Sequence, residues 1–314
     1  MKSDSTSIFQ DVLLFFKYLQ LYKKYKPHVV LHINNKPNIY GTLAANLLRI
    51  PSISNITGLG IVAEKSGVMK KLVYLLYRTA FYPKTVRVFF QNKEDQKFFV
   101  QNRLVDQKKT QVIPGSGVNT EQFTPKTKRT KNKSTMFLFN GRLLISKGVC
   151  DFIGAARRVK SLYSNTFFTI IGENDLNNPV FIPKKDLDQA ISEGIITYAG
   201  RVDNVQPYLA NADCVVLPSR YREGVPRALL EAAAMGKPLI VADSVGTREP
   251  VIDGTNGYIV PPADPEALAK AMIKFITLPT KEKTRMGQES RKIAVERFAD
   301  SIVIQSYIAA LADT

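Results

Sequence analysis

The stretch "DCVVLPSRYREGVPRALLEAAAMGKPLIVAD", residues 213–243, decides how this chain folds. It opens with a short apolar β-branched run and passes through a polar loop. It then enters an alanine- and leucine-rich helical run from Pro226 to Met235, and returns to a second apolar run at 237–243. Two buried strands joined by a helix form a βαβ unit, which predicts a parallel sheet covered by helices on both faces. Glu223 falls in the loop after the first strand and Glu231 inside the helix, eight residues further on. That spacing covers ~12 Å if wholly helical, so the two carboxylates share neither a proton nor a metal. Between them lies a helix start, with free amides and the positive end of a dipole. Two carboxylates flanking a phosphate seat suit an elongated ligand carrying hydroxyls at both ends and a diphosphate in its middle. A solvated loop glutamate beside a helix-face glutamate is the plainer alternative.

Outward from this unit the same alternation continues. Strands are expected at 135–141, 166–172, 194–200 and 256–262, and helices at Asp151–Tyr163 and 204–212. A further helix opens at Asp264-Pro265-Glu266, a cap, a first-turn proline and an early negative charge. The first part reads similarly, with strands at 28–33, 51–57, 86–92 and 110–118 and helices at 37–49 and 93–102. Residues 124–134 are rich in lysine and threonine and lack apolar periodicity, which marks a linker. The predicted architecture is α/β with two Rossmann-like domains, 1–125 and 134–314, the second closed by C-terminal helices. The first is expected to be incomplete, since a doubly wound sheet starts with a strand and glycine turn where this sequence reads "MKSDSTS" and goes directly to a helix near Phe9.

The 314 residues suffice for two such cores, and two distant cysteines provide neither a disulfide framework nor a zinc cluster. No cofactor and no metal are expected. The absence of a signal peptide points to the cytoplasm. The net charge of +17 is uneven: residues 1–133 carry 23 Lys/Arg against 7 Asp/Glu, while 134–314 carry 21 against 20. The basic half calls for an anionic partner. Two segments, Phe9–Pro27 and Gly67–Lys84, mix lysines with aromatic and aliphatic residues, as interfacial helices do, or as ordinary helices packed on a sheet do. No apolar run reaches the length of a membrane span. Nucleic acid would explain the charge but leaves Glu223 and Glu231 without a purpose.

"NGRLLISKG" (140–148) puts Arg142 and Lys147 after the strand at 135–141, at the end of the sheet where open α/β folds bind ligands. With "GRVDNVQPYLANADCVVLPS", "EGVPRALLEAAAMGKPLIVAD" and "VIDGTNGYIVPPADPEALAKAM" following in order, residues 134–314 resemble the C-terminal half of the family 4 retaining glycosyltransferases. Residues 32–60 resemble the same family more loosely, in the branch that builds lipid-linked bacterial glycans. The resemblance implies a GT-B fold and transfer from a nucleotide diphosphate-sugar, with UDP the expected nucleotide, to a polyprenyl-diphosphate-linked acceptor at the inner face of the cell membrane. Under it Arg142 and Lys147 would hold the diphosphate, Glu223 the sugar hydroxyls, with the backbone of Gly224 and Val225 close by. Glu231 would hold the ribose, and the Gly200–Arg201–Val202 segment the base. Many relatives carry a histidine at the place of Thr57, and His32 ends a strand where sugar-facing groups are expected. Both are therefore candidate substrate contacts. A catalytically impaired or partner-dependent nucleotide-sugar-binding subunit is the alternative, and a 2-epimerase of the same fold would need more histidines than His28 and His32.

Overall fold

The computed structural model describes residues 8–59, 67–126, 134–175 and 178–312. Part of the linker at 124–134 and the terminal "MKSDSTS" lie outside those residues. The described chain divides into two compact units, 1–115 with 302–314, and 116–301.

The first unit has a four-stranded parallel sheet in the order β1 (Val30–Ile33), β2 (Ser52–Ile56), β3 (Val86–Phe90), β4 (Thr110–Val112). Helix α1 (Ile8–Tyr25) precedes it, and α2 (Thr42–Leu47), α3 (Gly67–Ala80) and α4 (Lys93–Gln101) make the crossovers. The helix expected over 37–49 starts as a π turn, Pro37–Gly41, before α2. The strands step in one direction, so right-handed crossovers place α2–α4 on one face. Their core gathers Ile56, Val88 and Phe90 under Tyr77, Phe81 and Phe99. Asn92 caps α4 by accepting from the Asp95 amide at 2.7 Å, a bond of the kind worth about 1 kcal/mol.

The opposite face is covered by the last helix, α11 (Asp300–Ala312). Its Val303 and Ala310 pack on Ile53, Phe89 and Ile113, and Tyr307 sets its ring 4.9 Å from that of Phe89. The Asn55 side chain donates to the Tyr307 hydroxyl at 2.8 Å. The C-terminal helix thus packs with the first sheet, though it follows the second in sequence. In return Val118 and Phe123, before the linker, join the core of the second unit. Arg291 fixes them there, donating to the carbonyls of Phe123 and Ala234 at 2.8 Å each.

The second unit has six parallel strands: β5 (Thr135–Asn140), β6 (Thr166–Ile171), β7 (Thr197–Tyr198), β8 (Cys214–Leu217), β9 (Leu239–Ala242) and β10 (Gly257–Val260). Their spatial order is β10-β9-β8-β5-β6-β7. The intervening helices are α5 (Val149–Leu162), α6 (Lys184–Ser192), α7 (Gln206–Asn211), α8 (Arg227–Ala234), α9 (Pro265–Thr277) and α10 (Thr280–Phe298). β8 and β9 are buried throughout, as parallel strands covered on both faces must be. Phe137 stacks on Phe168 at 5.4 Å and meets Phe275 of α9 edge-on at 6.0 Å. Asp264 caps α9 by accepting from the Glu266 and Ala267 amides, ahead of Pro265. The strand expected over 194–200 shrinks to two residues, because β7 is the sheet edge and pairs only with β6.

Candidate functional site

The order of the second sheet creates a switch point. From β5 the chain winds outward to β6 and β7; from β8 it winds the other way to β9 and β10. The loops leaving the C-terminal ends of β5 and β8 therefore lead to opposite halves of the sheet, and such a switch point is the usual ligand site of an open α/β sheet. Lys147 comes from the loop after β5, and Glu223 from the loop after β8.

These two meet. Lys147 Nζ donates to Glu223 Oε2 at 2.6 Å, with side chains only 15% and 16% exposed. The second carboxylate oxygen, Oε1, accepts from Ser219 Oγ at 2.9 Å, and Ser219 is fully buried at the end of β8. The backbone holds the same geometry. The amides of Arg220 and Tyr221 both donate to the Ser146 carbonyl, at 3.0 and 3.2 Å, tying the glutamate's loop to the lysine's turn. Lys147 closes a 3-10 turn, Ile145–Lys147, and Gly148 follows with φ +78° as the first residue outside α5. A Cβ on Gly148 would lie 2.2 Å from the Pro218 carbonyl oxygen, so β5's loop can approach β8 this closely only through a glycine. On the other side, Gly246 after β9, at φ +89°, faces Gly224; a Cβ there would lie 1.8 Å from the Gly224 oxygen and 2.4 Å from that of Glu223.

Glu231 lies in the second turn of α8, whose first turn has no side-chain cap. It accepts from Arg227 Nε at 3.0 Å, in a pair with side chains 65% and 13% exposed. Burial raises the Glu231 carboxyl above the ordinary glutamate range, and Arg227 pulls it partly back. The arginine is exposed enough to swing away at little cost. Gly224 and Val225 are buried beneath the loop. Arg142 is exposed just past β5, and its guanidinium makes no ion pair among the described residues. Gly200, Arg201 and Val202 follow β7, where the Gly200 carbonyl accepts from the Gly172 amide at 2.8 Å and Tyr198 hydroxyl donates to the Gly172 carbonyl at 2.9 Å. That segment is thereby brought to the same end of the sheet as Lys147 and Glu223.

Two residues at this end carry no signal that spacing alone would raise. Ser219 is read simply as the end of a strand, and its grip on Glu223 exists only once the loop folds back. Asn174, after β6, has a buried amide whose nitrogen and oxygen find no partner among the described residues; its position just past a strand-ending glycine was the available clue.

The candidates in the first unit are built differently. Thr57 Oγ1 donates to Asn34 Oδ1 at 3.0 Å, at the C-terminal ends of β2 and β1. His32 does not present a ring nitrogen as expected. It is 3% exposed, with Nε2 2.7 Å from the Tyr22 hydroxyl and Nδ1 3.0 Å from Thr42 Oγ1. Burial lowers its pKa to about 4, so the ring is neutral. It faced inward because β1 alternates, and the inward face at that position is roofed by α1 and α2.

Residues 134–277 match the family described as glycosyl transferases group 1. That stretch is thus similar to a glycosyltransferase domain. It is 27% identical over 280 residues to the UDP-Gal:alpha-D-GlcNAc-diphosphoundecaprenol alpha-1,3-galactosyltransferase of Escherichia coli, covering 85% of this chain and 71% of that protein. It is 26% identical over 310 residues to the N,N'-diacetylbacillosaminyl-diphospho-undecaprenol alpha-1,3-N-acetylgalactosaminyltransferase of Campylobacter jejuni, covering 94% and 79%. Among solved structures, Anabaena HepE in complex with UDP superposes with a TM-score of 0.79 at 20% identity, over 96% of this chain and 82% of that one. The fold is that of the GT-B glycosyltransferases.

Ser219→Ala in this domain should leave Glu223 held by Lys147 alone. A hydrogen bond to a charged group contributes about 1.5–3 kcal/mol. Donor KM should rise about tenfold or more in the alanine variant and recover in Ser219→Thr. A loss of thermal stability with an unchanged KM would show that the serine only packs.

Proposed function

We propose that the protein is a retaining glycosyltransferase of family 4. In this reading it moves a hexose or N-acetylhexosamine from a nucleotide diphosphate-sugar, UDP being the favoured carrier, to a polyprenyl-diphosphate-linked saccharide. The observation that carries this is the Lys147–Glu223 pair at the switch point beside the uncapped start of α8. A cation and helix amides offer a seat for the diphosphate, and a carboxylate with two occupied oxygens offers an acceptor for neighbouring sugar hydroxyls. Arg142 supplies a second positive charge from the same loop. Glu231 takes the ribose hydroxyls once Arg227 moves aside, while Gly200, Arg201 and Val202 edge the base. Gly224 and Val225 present backbone to the sugar-phosphate. Thr57 remains the candidate first-unit contact; His32 serves the interior. The name of the E. coli relative supports the donor class, and the names of the E. coli and C. jejuni relatives both support the lipid-linked acceptor.

The chemistry follows. The acceptor hydroxyl oxygen bonds to the anomeric carbon on the face that the phosphate leaves. The carbon–phosphate-oxygen bond breaks, and the hydroxyl proton passes to the departing phosphate. Negative charge builds on the diphosphate, and Lys147 with Arg142 is placed to neutralise it. The protein's other share is holding the reactants in line.

Titration of the chain with UDP, and incubation with a panel of UDP-sugars and a polyprenyl-diphosphate disaccharide, tests this. Product anomers read by NMR decide retention. Micromolar UDP binding with transfer from at least one donor is expected; UDP binding with no transfer to any acceptor would favour the partner-dependent subunit, and no UDP binding would end the reading. Glu231→Ala should weaken UDP about 10–100-fold, the loss of a charged hydrogen-bonding partner. The pH dependence has a definite sign. The raised Glu231 pKa keeps part of the carboxyl neutral above the ordinary glutamate range, and the ionised form is the stronger acceptor from two hydroxyls. UDP affinity should therefore fall as pH drops, starting at a higher pH than an exposed glutamate would give. Glu231→Gln should flatten that limb, and an unchanged limb would assign it to another group.

A further inference from the structure

The first unit holds a feature that the donor site does not use. Its helices α1, α2 and α3 form one layer, α2 packing against both neighbours. α1 has two apolar stripes. Phe15, Tyr18, Leu19 and Tyr22 are turned inward. Phe9, Val12, Leu13 and Phe16, spaced i, i+3, i+4, i+7, are 78, 48, 45 and 59% exposed. The layer continues with exposed Leu47 on α2, then Val68, Leu72 and Leu75 on α3 and Tyr82 just beyond it. Cations stand among them: Lys17, Lys23 and Lys24 on α1, Lys70, Lys71 and Arg78 on α3. Across the three helices the one carboxylate is Asp11, and it is occupied by Lys36 at 2.8 Å and the Tyr40 hydroxyl at 3.0 Å.

We infer that this helical layer is the surface by which the protein lies on an anionic lipid bilayer, with the axes of α1 and α3 in the plane of the interface. The inference builds on the reading that the acceptor is lipid-linked, and adds where the membrane sits. Three observations select lipid over other occupants. The exposed apolar stripes need an apolar medium, which a nucleic-acid backbone does not supply. The six cations lack acidic counterparts within the layer, so a second copy of the same face would repel it. Among the described residues no helix is long and apolar enough to cross a membrane, so contact is in-plane. Each lysine or arginine near such a surface is worth about 1 kcal/mol.

The experiment is vesicle sedimentation of the full chain, using phosphatidylcholine alone and phosphatidylcholine mixed with phosphatidylglycerol, at rising salt. Binding is expected on the mixed vesicles only, falling with salt. Lys71→Gln with Arg78→Gln should weaken it roughly 25-fold, about fivefold per cation. Leu72→Ser with Leu75→Ser should weaken it at unchanged charge. UDP binding, measured on the same samples, belongs to the other unit and should be untouched in all variants, and circular dichroism and thermal unfolding matching the parent show that the first unit still folds. Equal binding to both vesicle types, full binding by the variants, dimerisation through this face, or tighter salt-dependent binding to duplex DNA would each overturn the assignment. Vesicle binding without UDP binding would leave it standing and remove the donor-site reading instead.

Discussion

Lys147→Met should lower the transfer rate by about two to three orders of magnitude, the usual loss when one preorganised charge stabiliser is removed from a reacting centre. The expectation follows from where the ammonium sits. It is 15% exposed, 2.6 Å from Glu223, and on the loop whose glycine lets it reach β8. It neutralises the glutamate; under the proposed function the donor's diphosphate would become its stronger partner. In that reading the charge that develops as the sugar departs would make the interaction larger in the transition state than in the ground state. The rate should therefore fall further than the UDP affinity. Methionine keeps most of the aliphatic stem, so packing is conserved, but Glu223 loses its counter-charge. Breaking a buried pair costs up to 3–5 kcal/mol, moderated here because Ser219 still donates to the other oxygen. Lys147→Arg separates the two effects: it restores stability and recovers only part of the rate, because a planar fork does not take the place of a point charge. Rates of Lys147→Met within threefold of the parent, measured with saturating UDP-sugar, would exclude the residue from charge stabilisation.

Gly246→Ala should be the most damaging single change to the site outside its charged residues. The added Cβ would overlap the backbone oxygens of Gly224 and Glu223, at 1.8 and 2.4 Å, and neither can retreat as a flexible side chain would. Overpacking of this kind costs about 1–3 kcal/mol, and the left-handed backbone adds about 1 more. The displaced segment is the one that carries Glu223 and opens α8, so donor binding should be lost along with several degrees of thermal stability. Gly254→Ala is the control. Gly254 also has a positive φ, +72°, but nothing lies within 4 Å of its Cβ. It should show the conformational cost alone and bind UDP normally. Matching donor affinities for the two alanine variants would mean that the Gly224–Gly246 approach does not shape the site.

Much of this molecule could be read before any coordinates. The βαβ units, the capped helix after Asp264 and the cationic first part rest on local chemistry, on runs of β-branched residues, a capping carboxylate and a count of charges. Where that reading overreached, a neighbour decided the outcome. The run at 194–200 is apolar enough for a full strand, yet an edge position with one partner sustains two residues of it. His32 is the same kind of residue whether it faces substrate or core; the roof of α1 and α2 turned it into a neutral interior group.

The sequence by itself determined the types of the elements, the alternation that makes the sheets parallel, and the presence of one carboxylate and two cations in loops after strands, with a second carboxylate in the helix that follows. Only the tertiary structure decided that Lys147 and Glu223, 76 residues apart, form one pair, that Ser219 holds the second oxygen, and that the last helix packs with the first sheet. The physical reason is range. Propensity and capping act within a few residues, whereas strand order sets which loops become neighbours, and strand order follows from burying both faces of a sheet at once.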